Sequence, residues 1–234
     1  MLRLKQLVWF PILLALFCAL LIVIPWPGLQ RGYAHVFRAF GNVVFARFWI
    51  WPDGSVRFLD LRSENLLSDL NEATPLNLPA GFRPLPATKV LDTLMVLKNR
   101  RTPGRFGLVR TSARSLGYWT TALFLALALA WPMSWKRRGW ALLWGLFLIH
   151  LFIAFRLTIT LVETGFGADK PYALFDLSPF WLGVLSRTKE VAVHNPTVSF
   201  LVAGFVWLVV ALPDVIRVLF PETGPDAPGK GRQS

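Results

Sequence analysis

The chain has a single cysteine, Cys18, so an internal disulfide is excluded. It has three histidines, and neither they nor the carboxylates cluster at metal-ligand spacing. No Gly-rich loop of the phosphate-cradling kind is present, so neither a metal nor a cofactor is expected. Acidic residues are scarce: 13 Asp and Glu stand against 25 Lys and Arg, for a net charge of +12. So basic a chain first suggests nucleic acid. Distribution excludes that class, because 13 of the basic residues fall in segment 28–114, which topology places on the outer side of a membrane. The first apolar run also lacks a small-x-small cleavage site and is followed by Pro25-Trp26-Pro27-Gly28, which argues against a signal peptide that is removed. Phe17 stands before Cys18 where a lipoprotein site needs a small residue, and a buried thiol inside an apolar helix accounts for Cys18.

What the chain has in abundance is apolar mass. Hydrophobic residues make up 54%, with 19 Phe and 11 Trp, too much for an ordinary soluble domain. Residues 7–24 form an apolar run, and a bilayer core of about 30 Å takes about 20 such residues. Arg3 and Lys5 precede it, so it reads as an uncleaved signal anchor with its N-terminus in the cytoplasm. Residues 111–156 organise the rest. Two apolar helices, 118–131 and 140–155, are joined by Trp135-Lys136-Arg137-Arg138-Gly139. Short loops rich in Lys and Arg stay on the cytoplasmic side. Ser115, at the start of the first helix, and Arg156, near the end of the second, then share the outer face. A fourth apolar segment, 198–212, has Asn195 as its N-cap and Pro196 at its first position, and ends at Pro213-Asp214.

The sequence therefore predicts a membrane α-helical fold with four transmembrane helices and a small α+β extracytoplasmic insert between helices 1 and 2. It divides into an anchor (1–27), the insert (28–114), a three-helix membrane domain (115–220) and a disordered cytoplasmic tail (221–234). The expected location is the cytoplasmic (inner) membrane, multi-pass, with both termini cytoplasmic. In the insert, Leu29, Tyr33, Val36, Phe37, Phe40 and Val44 follow helical spacing. Such a helix either lies on the outer leaflet or packs on the transmembrane helices. Pro52-Asp53-Gly54 between β-prone runs signals a hairpin, and 93–97 and 106–111 read as two more strands. Residues 63–86 read as loop with one short helix. Loop 164–196 is the second outer loop, its apolar stretch 180–185 holding it near the membrane. His150 falls near mid-depth, where an ionisable group points to function or to a bond with a neighbouring helix.

Three polar residues thus meet the outer boundary: Ser115, Arg156 and His194. A hydroxyl nucleophile needs a base within hydrogen-bond reach, here His194. A guanidinium can stabilise the oxyanion of a tetrahedral intermediate. Together they describe acyl transfer or peptide cleavage at a membrane surface. The plainer readings are Ser115 as a helix cap, Arg156 as a side chain snorkelling to headgroups, and His194 as a loop histidine.

These residues resemble the exosortase and archaeosortase membrane transpeptidases. Members carry a Cys, usually followed by a residue and Gly, at the outer start of a helix. An Arg follows about forty residues on, at the outer end of the next helix, and a His or second Arg at about that interval again. Here Ser115-Leu116-Gly117 occupies the Cys position, Arg156 the middle and His194 the third, at separations of 41 and 38. An apolar helix ending Ala130-Trp131-Pro132 and the basic turn are also similar, and the likeness covers about 112–212. The resemblance implies Ser115, Arg156 and His194 as the catalytic set. Ser in place of the thiol, and fewer spans before it, are departures. A thiolate forms far more readily than an alkoxide. Two functions are therefore expected. One is a non-catalytic or divergent relative that binds or positions an envelope partner. The other is a serine-dependent transpeptidase or protease acting on C-terminal sorting signals. The expected partners are the lipid bilayer and a sorted envelope protein or acidic peptide, with no nucleic acid.

Overall fold

The computed structural model describes residues 2–24, 26–47, 53–73, 91–99, 101, 106–165 and 177–219. Helix α1 (Leu2–Cys18) runs into a π-helical turn (Ala19–Val23). Helix α2 (Pro27–Phe45) follows at 76° to it. Strand β1 (Gly54–Asp60), helix α3 (Leu66–Ala73), and strands β2 (Thr93–Asn99) and β3 (Phe106–Thr111) make up the rest of the insert. A second π turn (Arg114–Tyr118) opens α4 (Trp119–Ala130). Helix α5 (Trp135–Thr160) ends in a third π turn (Leu161–Gly165). Helix α6 (Pro179–Lys189), a fourth π turn (Glu190–His194) and α7 (Pro196–Leu219) complete the order.

Helix α4 is the centre of the bundle, packed by α1, α5 and α7. Its buried residues are mostly small, with Ala122, Ala126, Ala128 and Ala130 among them, which lets neighbouring backbones approach. Phe124 is the exception. Its ring lies over Gly145 of α5, where a Cβ would collide with it. At the Arg138 end, Phe10, Trp131 and Trp207 pack edge to face at 5.0 and 5.3 Å.

The sheet is antiparallel in the order β1-β2-β3, so β1 pairs with β2 across the α3 connection. The run expected to form a hairpin with β1 includes residues 48–52, which lie outside the described residues, as do the tail 221–234 and loop residues 166–176. Alternation along the strands separates two faces. Val56, Phe58, Met95 and Leu97 join the main core under α2, while Leu94 and Val96 pack with Leu61, Leu66 and Leu70 beneath α3. Helix α2 buries Ala34, Phe37, Gly41 and Phe45, whereas Leu29 and Val36, expected on its apolar face, are exposed. It also closes the β1 edge: the Asn42 side chain donates to Phe58 O (3.1 Å) and accepts from Phe58 N (2.7 Å). One core cluster runs from the sheet through α2 into α4, α5 and α7.

Two described helical stretches are long and apolar enough to cross a membrane: Trp135–Glu163 and Pro196–Pro213. The bent pair Trp9–Val23 with Pro27–Phe45 makes a third if counted as one span. The fold is thus largely helical with a small sheet, and its apolar helices suit a membrane. The fourth apolar segment ends at Pro213 as expected, while the helix itself continues through that proline to Leu219.

Candidate functional site

The site lies where three π turns gather at one end of the bundle. The sequence placed the start of the helix at Ser115, but the helical backbone begins at Ala113. Ser112 acts as its cap, its Oγ accepting Ser115 N at 3.3 Å. Asp92 Oδ1 takes Ala113 N at 3.0 Å. Ser115 is exposed one turn in, and its hydroxyl donates to Ser112 O at 3.3 Å.

Arg156 does not snorkel. It is 1% exposed and makes four hydrogen bonds within the protein. Nη1 donates to Leu116 O (2.8 Å), Ser199 Oγ (3.0 Å) and Ser115 O (3.2 Å), and Nη2 to Val193 O (2.7 Å). Ser115 and Leu116 belong to one π turn and Val193 to another. A π turn displaces carbonyls from the i to i+4 ladder, and this guanidinium takes them up. Arg156 therefore fastens the start of α4 to the segment preceding α7.

His194 ends its π turn and is exposed. Ser115 and His194 line one pocket of ≈260 Å³, together with Ser112, Arg110, Thr160 and Lys189. Arg156 lies behind that wall. The three residues therefore converge, but in two layers. Among the described residues no hydrogen bond joins the Ser115 hydroxyl to the His194 ring. Lys189 pairs with Glu163 at 2.6 Å, which ties the end of α6 to the end of α5. The pocket is smaller than the about 300–1,000 Å³ of common small-molecule sites. It brings hydroxyls, an imidazole and cations to one wall.

Sequence reasoning missed Ser112, Ser199, Arg110 and the Glu163–Lys189 pair. Ser199 carried a legible signal, standing one turn into the helix that Pro196 opens. The others are joined only by tertiary contact. His150 bonds its own helix, with Nδ1 at 2.7 Å from Leu146 O, and meets the Phe40 ring of α2 edge-on at 5.1 Å. No group of three or more His, Cys, Asp or Glu suited to a metal occurs among the described residues. No family model, curated protein or solved structure matches the chain.

Proposed function

We propose that this chain is a multi-pass integral membrane protein of the cell envelope, resembling the exosortases in its helical half. It binds and positions an envelope partner at the pocket of Ser115 and His194 rather than cutting it. The observation that carries this reading is the commitment of Arg156. An oxyanion stabiliser must present free N–H groups to the reacting carbonyl. Both Nη atoms of Arg156 are bonded to the fold, and its Nε, which has no acceptor, is buried with them behind the pocket wall. The Ser115 hydroxyl, likewise, donates to a backbone carbonyl and not to His194. The cation Arg110 at the pocket favours an acidic segment of a sorted envelope protein.

In this proposal α1, α4, α5 and α7 cross the inner membrane in alternating directions, with the insert outside and both termini in the cytoplasm. Helix α4 with its π turn spans Arg114–Ala130, short of the about 20 residues a lipid-facing span needs. It is sheathed by three other helices, so it need not meet lipid alone.

A second reading, a serine-dependent membrane transpeptidase or protease acting on C-terminal sorting signals, draws support from Ser115 and His194 lining one pocket. One experiment separates the two. A photo-crosslinking residue replaces Val109 at the pocket, in cells carrying either Ser115 or Ser115→Ala. Positioning predicts the same crosslinked envelope protein, at the same length, in both strains, with capture reduced by Arg110→Glu. A partner whose tail is shortened only when Ser115 is present would establish acyl transfer instead.

A further inference from the structure

Arg114 and Ser115 are consecutive but serve different cavities. Ser115 lines the pocket described above, while Arg114 lines a larger polar one of ≈610 Å³. The larger cavity lies between α2, the end of β1 and the start of α4. Arg31, Arg38, Arg62 and Arg114 line it, with the carboxylates Asp60, Glu64 and Asp92. Two of those carboxylates are already engaged. Asp60 takes Arg38 Nη2 at 2.6 Å and Arg62 N at 2.9 Å. Asp92 takes Ala113 N at 3.0 Å and Thr93 Oγ1 at 2.9 Å. Glu64 is exposed.

Arg31 and Arg114 have no carboxylate partner among the described residues. The Arg114 guanidinium lies 5.3 Å over the Trp119 ring, and its Nε is buried without a hydrogen-bond acceptor. An aromatic face fixes the plane of a guanidinium and leaves its N–H edge for an oxyanion. Beside the cavity the chain turns the corner from α1 to α2 at Pro27, which also lines it. The side chains at that corner are apolar and exposed: Val23 at 73%, Trp26 at 51% and Leu29 at 44%. Uncommitted guanidiniums next to bare apolar surface match an amphiphile, with a charged head and a hydrocarbon tail.

We propose that this cavity seats the phosphate of an anionic phospholipid headgroup. Arg31 and Arg114 hold its oxygens, and the Val23, Trp26 and Leu29 corner covers the beginning of its acyl chains. The site shares only the membrane boundary with the proposed function. Its test needs no protein partner, so the two can fail separately.

The full chain, purified in a neutral detergent, is mixed with phosphatidylglycerol or phosphatidylcholine, and retained lipid is counted by native mass spectrometry. One phosphatidylglycerol is expected to stay bound in preference to phosphatidylcholine. Arg31→Gln with Arg114→Gln is expected to reduce its occupancy about tenfold. Arg31→Gln alone, at an exposed position that packing does not depend on, is expected to reduce it about threefold. Arg57→Gln with Lys98→Gln removes the same charge from a different cavity and is expected to leave occupancy unchanged. Equal losses in both double variants would reduce the effect to overall charge and overturn the site. So would equal retention of the two lipids, or unchanged occupancy in Arg31→Gln. Thermal stabilisation by inorganic phosphate without retained phosphatidylglycerol would assign the cavity to a soluble anion and overturn the lipid.

Discussion

Arg156, expected at the head of a catalytic set, is also built into the architecture. A guanidinium remains charged, so burying it requires acceptors on several sides, and here two π turns and Ser199 provide them. Lysine has one nitrogen and cannot bond Leu116 O and Val193 O from opposite ends of a planar fork. Arg156→Lys should therefore lower the thermal midpoint of the purified protein despite keeping the charge. Ser199→Ala removes one hydrogen bond to a charged group from a site 2% exposed, and should destabilise by about 2 kcal/mol in a denaturation series. Ser115→Ala, by contrast, touches an exposed hydroxyl and should stay within about 0.5 kcal/mol of the parent. Loss of partner processing in Ser115→Ala without loss of stability would thus be chemical in origin. Lys98 offers a test by pH. Burial, and after it the nearby Arg57 guanidinium, holds its ammonium below the usual lysine range. The folded chain binds that proton less tightly than the unfolded one, so stability rises as pH climbs from the folded value toward 10.5. Lys98→Met should raise the midpoint at neutral pH, and melts taken at increasing pH should show the gain vanish above the lysine range.

At the scale of elements, Asn42 and Gly145 hold pieces together by different means. A single Asn42 amide satisfies both backbone groups of Phe58 on an edge strand, as a neighbouring strand would. Asn42→Ala should cost about 2 kcal/mol, and size-exclusion chromatography should show more self-association through the opened edge. Gly145→Val forces a branched side chain into the Phe124 ring and should destabilise by about 1–3 kcal/mol or more. Elements with a period in the sequence were legible. The α2 spacing, both later strands and the Asn195-Pro196 helix start are present, the last with Asn195 Oδ1 accepting Thr197 N at 2.9 Å. The orientation of α2 was less so, because tertiary packing selects Ala34 and Gly41, which a hydrophobic count overlooks. Helix α6 was not foreseen. Its Phe180, Trp181 and Val184 are exposed, so no burial stripe marks it as a helix. The π turns have no local code either. Those at Ser115 and Val193 are matched to Arg156, a residue 40 or so positions away from each.

Across the whole molecule, the placement of Ser115, Arg156 and His194 at one end of the bundle was legible because consecutive apolar rods reverse direction. Their division into an open wall and a buried brace was not, since hydropathy gives depth along a helix and says nothing of which way a side chain turns. The same reversal makes the topology testable. Cys18 is the only thiol, so Cys18→Ala gives a background for single cysteines at Ser115, His194 and Lys136. If the basic turn is cytoplasmic, a membrane-impermeant maleimide should label 115 and 194 in intact cells, and 136 only after lysis. Both target positions are exposed in the fold, so failure to label cannot be ascribed to burial within the chain. Labelling of 115 and 194 from opposite sides would separate the start of α4 from the start of α7 by the thickness of a bilayer. Arg156 could not then bond Leu116 and Val193 together, and the pocket, the brace and the proposed partner site would all be lost at once.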